Sequence, residues 1–152
     1  MAVRCYIPTT LAALAAGLQS VTAVAPDAAA AQLRGDDLDE AEFTAMSIAA
    51  ALAADEALGS GAESASPRVV VAYDAPSTTG REPLAPGFDA LTLTRVDEDR
   101  IVSVHLDEAS DWEAAIELAA AHGAEAAGDR LGESDLLWYD RTELRDLLRD
   151  RT

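Results

Sequence analysis

The stretch "RVVVAYD", residues 68–74, decides the fold. Its three consecutive valines favour extended backbone, and the run is apolar at both odd and even positions. A strand with one solvated face would alternate instead, so this run predicts a central strand that is covered on both faces of a sheet.

Shorter apolar runs on either side of this strand predict the rest of the sheet. They are "VRCYIP" (3–8), "VTAV" (21–24), "ALTLTRV" (90–96), "IVSVHLD" (101–107) and "LLWY" (136–139). Runs 90–96 and 101–107 alternate and are joined by the polar "DEDR", which predicts an antiparallel hairpin. The order predicts one α/β domain over residues 1–152, with α+β as the alternative and a mixed sheet of about five or six strands packed with alanine-rich helices.

Three residue pairs have the capping-box spacing, in which a carboxylate three residues after the N-cap bonds back to it. They are Asp37 with Glu40, Ser110 with Glu113, and Asp140 with Glu143. The first predicts a helix that ends at Gly59, the second a helix that ends near Gly123, and the third a C-terminal helix. The connections 59–67 and 75–87 are rich in Gly, Ser or Pro and predict flexible surface loops.

The helix that begins at Asp37 carries large apolar residues on several sides. Phe43, Met46, Ile48 and Leu52 do not fall on one stripe. A helix that is apolar all round is normally buried, so we expect this helix to lie inside the domain.

Trp138 and Tyr139 are adjacent in a chain with two Trp and three Tyr. Residues 136–139 are apolar on both strand faces, and the capping box at Asp140 follows directly. The pattern predicts that Trp138 is a core residue and that Tyr139 points to the opposite face. The alternative is that the pair forms an exposed ligand or partner surface.

The chain has 28 acidic and 11 basic residues, all of the latter arginine, and a net charge of −17. Such a field repels phosphates, which disfavours direct binding of nucleic acid and of anionic membranes. The acidity is open to three interpretations: a solvated surface, adaptation to high salt, or an acidic face that binds a basic partner or imitates nucleic acid.

The N-terminal segment has some features of a secretory signal, including Ala23-Val24-Ala25 before Pro26. Pro8 interrupts its apolar stretch early, and Thr10 is a good N-cap, so a strand followed by a helix accounts for the segment better. We therefore expect the N-terminus to be retained. The single cysteine, Cys5, cannot form an internal disulfide, and a reducing cytoplasm is the simplest compartment.

No phosphate-binding glycine loop, nucleophile elbow or metal-ligand histidine pair occurs in the sequence, so we predict neither catalytic residues nor a cofactor. His105 and Asp107 share one strand face and are weak candidates for a metal site. An enzyme site would lie where Asp74, the loop 75–87 and this strand end meet. A structural histidine is the favoured interpretation.

Four segments resemble an uncharacterised family of short acidic actinobacterial proteins. They are "VRCYIPTTLAAL" (3–14), "RVVVAYDAP" (68–76), "VSVHLDEA" (102–109) and "DLLWYDRTEL" (135–144). The resemblance implies a cytoplasmic domain and brings no known activity. The sequence thus favours an acidic interaction or regulatory protein that binds a protein partner without catalysis. A small, metal-assisted enzyme and an acidic decoy of nucleic acid are the alternatives, and the oligomeric state is open.

Overall fold

The computed structural model describes residues 2–59, 61 and 65–151. Over these residues the chain forms seven β-strands and five α-helices. The strands are β1 (Ala2–Thr10), β2 (Gln19–Pro26), β3 (Arg68–Pro76), β4 (Arg81–Ala85), β5 (Phe88–Arg95), β6 (Ile101–Asp107) and β7 (Leu136–Asp140). The helices are α1 (Leu11–Ala16), α2 (Asp36–Leu58), α3 (Ala109–His122), α4 (Ala124–Gly132) and α5 (Leu144–Arg151).

All seven strands belong to one sheet in the order β4-β5-β2-β1-β3-β6-β7. This confirms a fold with both helices and strands around a single sheet. Every described pairing is antiparallel, so the expected mixed sheet of five or six strands is corrected to an antiparallel sheet of seven, as in the α+β alternative. The strand β3 lies between β1 and β6 and is buried from Arg68 to Tyr73, as its sequence predicts.

Helices cover both faces of the sheet. Leu11 and Leu14 of α1 and Leu144 and Leu147 of α5 pack on one face. The helix α2 packs on the opposite face, over β1, β2 and β3. A third cluster joins the end of α2 to α3 and α4 around Trp112.

A buried ion pair joins β3 to β6. Arg68 and Asp107 are 3% and 0% exposed, and two hydrogen bonds of 2.7 and 2.9 Å join guanidinium and carboxylate. The same guanidinium donates to the carbonyl oxygens of Ala50 in α2, at 3.2 Å, and Leu131 in α4, at 2.8 Å. A single side chain therefore connects two strands and two helices.

The expected hairpin between residues 90–96 and 101–107 is wrong, although both strands exist. In the sheet, β2, β1 and β3 lie between β5 and β6. The connection is held at the end of β3, where the Tyr73 hydroxyl accepts from the Asp97 N–H and Arg100 donates to the Asp74 carbonyl oxygen. These bonds bring β6 beside β3.

The segment 75–87 contains a strand rather than the long surface loop that its composition predicts. It holds the end of β3 and all of β4, which forms a hairpin with β5. Pro86 and Gly87 make the turn, with Gly87 at φ 87°. Proline followed by glycine of positive φ fits a type II turn. The other expected loop, 59–67, falls partly on residues 60 and 62–64, which lie outside the described residues.

The helix α2 ends at Leu58, as predicted. Of its large apolar residues, Met46 and Ile48 pack half-buried against the core, whereas Phe43 and Leu52 are exposed. Its sheet-facing stripe consists of alanines, and Phe43 is 65% exposed. The small side chains let the helix lie close to the sheet, where larger ones would hold it away. The buried alanines of the helix are Ala45, Ala49, Ala53, Ala54 and Ala57.

One of the three capping boxes is confirmed, at Asp140 and Glu143. The pairs at Asp37 and Ser110 are wrong, because the N-caps of those helices lie two residues earlier, at Gly35 and Glu108, and neither makes a side-chain cap bond. Thr10 does cap α1. Residues 3–8 and 21–24 lie in β1 and β2, as expected.

Arg68→Ala should lower the free energy of unfolding by about 3–5 kcal/mol, because it leaves the Asp107 carboxylate buried without a partner. Urea denaturation followed by circular dichroism measures the change. Arg149→Ala removes an exposed ion pair with Asp146 and is the matched control, with an expected change within about 0.5 kcal/mol. Equal effects of the two variants would contradict a structural role for the buried pair.

Candidate partner-binding groove

Trp138 is 62% exposed, so the prediction that it is a core residue is wrong. It lies on β7, at one edge of the sheet, opposite His105 of β6. The helix α2 packs over β1, β2 and β3 on this face. A strand that is apolar on both faces is buried on both faces only where helices cover each side of the sheet. The face of β7 that carries Trp138 lies outside the strands that α2 covers, and this face is exposed. For Trp138, the alternative prediction of an exposed side chain is therefore the correct one.

Tyr139 lies on the other face, as expected, and packs half-buried against the core formed with α1 and α5. The adjacent pair is thus divided between the two faces. Tyr139 contributes to the core, and Trp138 is available to other molecules.

A groove of about 1060 Å³ runs between α2 and α4 on the same side of the sheet as Trp138. Along α2 it extends from Phe43 to Leu58, a length of about 22 Å at ~1.5 Å per residue. Leu136 of β7 and the buried Arg68 also line it. The helix α2 lies over β1, β2 and β3, and α4 contacts α2. The space between the two helices stays open and forms the groove.

Alanine and glycine make up seven of the 19 described residues that line the groove. Such residues allow the backbone of an incoming segment to approach closely. Gly128, in the middle of α4, has nothing within 4 Å of the position where a Cβ would stand, so its side of the groove is open. The small lining residues are Ala50, Ala51, Ala54, Gly59, Ala124, Gly128 and Gly132.

The exposed charges that line the groove are all negative. Four carboxylates line it: Asp55, Glu125, Asp129 and Asp135. Arg68, the one basic side chain among the described lining residues, is already bonded to Asp107 and to two backbone carbonyl oxygens. The groove therefore combines an apolar wall with uncompensated negative charge.

The residues of the candidate enzyme site do not converge. Asp74 forms an ion pair with Arg4 at 2.7 Å and lies six positions along β3 from Arg68, the ion-pair partner of Asp107. At ~3.3 Å per residue the two carboxylates are about 20 Å apart, at opposite ends of the sheet. The loop after β3 starts at the Asp74 end, away from His105. The expectation that Asp74, the loop 75–87 and the end of β6 meet at one site is therefore wrong.

A smaller cleft of about 380 Å³ lies at the Asp74 end. Asp74, Asp99 and Asp140 line it together with Arg100 and Arg141. Both arginines donate to backbone carbonyl oxygens, Arg100 to Asp74 at 3.1 Å and Arg141 to Asp99 at 2.7 Å. Both arginines of this cleft therefore bind the backbone of neighbouring segments and have a structural role.

His105 shares a strand face with Asp107, as predicted, but each has its own structural partner. The His105 Nε2 and Ser103 Oγ are 2.8 Å apart, whereas Asp107 binds Arg68. Over residues 2–59, 61 and 65–151, no three His, Cys, Asp or Glu side chains are grouped as a metal site requires. The Asp140 carboxylate, which lies across from Ser103, is occupied by its capping box and by Thr142.

Ser103 and His105 have the spacing of a nucleophile and a base, but the surroundings do not support that chemistry. Such a pair normally needs a third group that orients the base. Burial lowers the pKa of His105 from its usual 6.5. Burial also raises the pKa of the Cys5 thiol to about 12, which keeps it protonated and unreactive. The strongest feature for recognition is therefore the groove.

Residues 3–148 match a family described as "Family of unknown function (DUF6912)". The match extends over nearly the whole chain and confirms the resemblance to an uncharacterised family. No curated protein and no solved structure matches the chain. In the described part of the chain, no helix has the length and apolar character that a bilayer span requires.

The two tryptophans should respond differently to substitution. Trp112 is buried between α2, α3 and α4, so Trp112→Ala should cost about 3–5 kcal/mol of stability, whereas Trp138→Ala should cost less than about 1 kcal/mol. In Trp112→Phe the remaining fluorescence should be red-shifted and quenched by acrylamide, and in Trp138→Phe blue-shifted and protected. In the monomeric chain, at low protein concentration and low salt, a protected Trp138 would contradict its exposure.

His105 should make the fold less stable as the pH falls. Its folded-state pKa lies below 6.5, so on acidification the unfolded chain takes up the proton first. The contribution of His105 to the free energy of unfolding is therefore fully present above about pH 6.5, and it is lost as the pH falls toward the folded-state pKa. His105→Gln should flatten the profile of unfolding free energy between about pH 7 and about pH 5, and His122→Gln on α3 is the control. Parallel profiles for wild type and His105→Gln would overturn this assignment.

Proposed function

Because the chain belongs to this family of unknown function, we propose its role from its own surface: it is a non-catalytic interaction or regulatory protein. In this proposal the groove between α2 and α4 binds a basic, amphipathic helix of a partner protein. The observation that supports it is the groove itself, which has a small and apolar surface, four carboxylates and a basic side chain that is already bonded.

The shape of the groove favours a helix. Helix-binding grooves accept the apolar face of an amphipathic helix along their length, with anchors spaced by three or four residues. A groove of about 22 Å accommodates about 15 helical residues at ~1.5 Å each. Alanine and glycine along both walls let two helix backbones approach closely. Phe43 at one end offers an aromatic contact for an apolar anchor.

The charge of the groove selects a basic partner. Carboxylates of Asp55, Glu125 and Asp129 stand beside the apolar wall, where Lys or Arg on the flanks of a bound helix would meet them. Complementary charge mainly raises the rate of association and excludes wrong partners. The net charge of −17 extends this attraction beyond the groove.

An acidic decoy of nucleic acid is the second candidate, and the overall charge favours it. A decoy would present carboxylates in place of phosphates, whereas the four carboxylates of the groove border an apolar wall that a nucleic-acid backbone does not have. The enzyme alternative would require Asp74 and Asp107 to act together, and their separation in the sheet opposes this. The groove thus favours a protein partner.

We propose the cytoplasm as the compartment. Two central strands, β1 and β2, come from residues 2–26, so cleavage of a leader after Ala25 would remove them. The only cysteine is a buried free thiol, which suits a reducing environment. The absence of lysine beside abundant alanine and arginine supports an actinobacterial source with a GC-rich genome.

A designed peptide can test the groove. A labelled 15-residue helix with leucines on one face and lysines on the other should bind the protein in fluorescence anisotropy. A scrambled peptide of the same composition, which keeps the charge but loses the apolar face, should bind at least about tenfold more weakly. Gly128→Leu should abolish the difference, because its side chain fills the open wall.

Ala121→Leu is the matched control, because it adds the same side chain to an exposed position of α3 outside the groove. It should leave the preference for the amphipathic peptide unchanged. Gly128→Leu replaces a helical glycine and should not destabilise the fold. Equal binding of both peptides would indicate attraction by charge alone and favour the decoy. No binding of either peptide at low salt would reject both proposals.

A further inference from the structure

The two edges of the sheet differ in their protection against pairing with another strand. Exposed edge strands normally carry charges, proline or a bulge that prevent such pairing. The strand β4 has all three: Arg81 and Glu82, Pro83, and a register shift between Pro83 and Ala85. The strand β7 has no proline and no register shift, its one charge is Asp140 at its last position, and it pairs only with β6 in the described sheet.

We propose that β7 pairs with β7 of a second copy of this chain, in antiparallel orientation, to form a two-fold symmetric dimer. Antiparallel pairing of a strand with itself is the arrangement that gives a closed, isologous interface. It would satisfy the outer hydrogen-bonding groups of both edges. It would also cover Leu137 and Trp138, which are exposed in the single chain.

The charges at the two ends of β7 define the register. Asp135 precedes the strand, and Arg141 follows it; both are exposed. Arg141 donates to the Asp99 carbonyl oxygen, and neither residue has an ion pair within residues 65–151. In a two-fold pairing centred on Trp138, Asp135 of each copy lies opposite Arg141 of the other.

Neighbouring symmetric registers fit less well. Centred on Leu137, the pairing places Asp135 opposite Tyr139, and centred on Tyr139 it places Asp135 opposite the acidic Glu143. Only the register centred on Trp138 also pairs all five residues of each strand. The observations therefore select one register, with the two Trp138 side chains adjacent on the same face.

This inference goes beyond the proposed function, because it rests on the edge of β7, although Asp135 and Leu136 also line the groove. A two-fold axis perpendicular to the sheet would keep both grooves on one side of a continuous sheet. Two chains of net charge −17 repel each other, so the dimer should strengthen as salt is added.

Charge exchange at the ends of β7 tests the dimer by sedimentation equilibrium. Asp135→Arg and Arg141→Asp each place like charges opposite one another twice per dimer, so each should weaken dimerisation about tenfold or more. The double variant Asp135→Arg/Arg141→Asp restores opposite charges and should return the dissociation constant close to that of the wild type. Asp146→Arg on α5 is the control and should leave it unchanged. A wild type that stays monomeric at high salt, or a double variant no better than the single ones, would overturn the proposal.

Disulfide trapping tests the register directly. Trp138→Cys would place two cysteines opposite each other across the axis, with the Cα atoms about 4.5–5.5 Å apart, which a disulfide can span. Leu137→Cys would place them at a diagonal of about 7–8 Å, too far apart. The native Cys5 is buried and should not react. Mild oxidation should cross-link Trp138→Cys and leave Leu137→Cys monomeric on a denaturing gel; the reverse result would overturn the register.

Discussion

The ion pair between Arg68 and Asp107 is the interaction on which the rest of this structure depends. A buried charge costs several kcal/mol in desolvation, and removal of one partner leaves that cost uncompensated. Here the guanidinium binds the carboxylate twice and also reaches the carbonyl oxygens of Ala50 and Leu131. Ala50 and Leu131 both line the groove, on opposite walls. The same side chain that joins β3 to β6 therefore fixes the distance between α2 and α4.

The groove exists because α2 is an alanine helix on a sheet wider than itself. Small side chains bring the helix close to β1, β2 and β3, so it covers those strands and leaves the face of β7 open. Larger residues such as Phe43 then lie on its outer sides. Leu136 enters the lining of the groove, and Trp138 is exposed for the same reason.

Strand positions could be predicted from the sequence, because apolar and β-branched runs act locally, and all six expected strands exist. Strand order could not, since β6 is placed beside β3 by bonds from Asp97 to Tyr73 and from Arg100 to Asp74, more than 20 residues apart in sequence. The same limit explains Trp138: its own segment is apolar on both faces, and only the position of α2 determines that one face is exposed. The strand β4 could not be predicted, because Pro83 and the charges of Arg81 and Glu82 are typical of a loop as well as of an edge strand.

The groove was beyond sequence reasoning for a different reason. Its lining comes from residues 43–59, 68 and 124–136, and most of these are alanine, glycine or acidic residues that carry no motif. What matters is the space that they leave, which depends on how three separate elements pack. The net charge of −17 follows directly from the sequence, but it does not show where on the surface the carboxylates gather. Charge acts over about 8–10 Å at physiological salt and so guides encounter, whereas affinity requires apolar contact at short range. In the groove, carboxylates border the wall of alanine and glycine, so negative charge and apolar contact act at the same place on the surface.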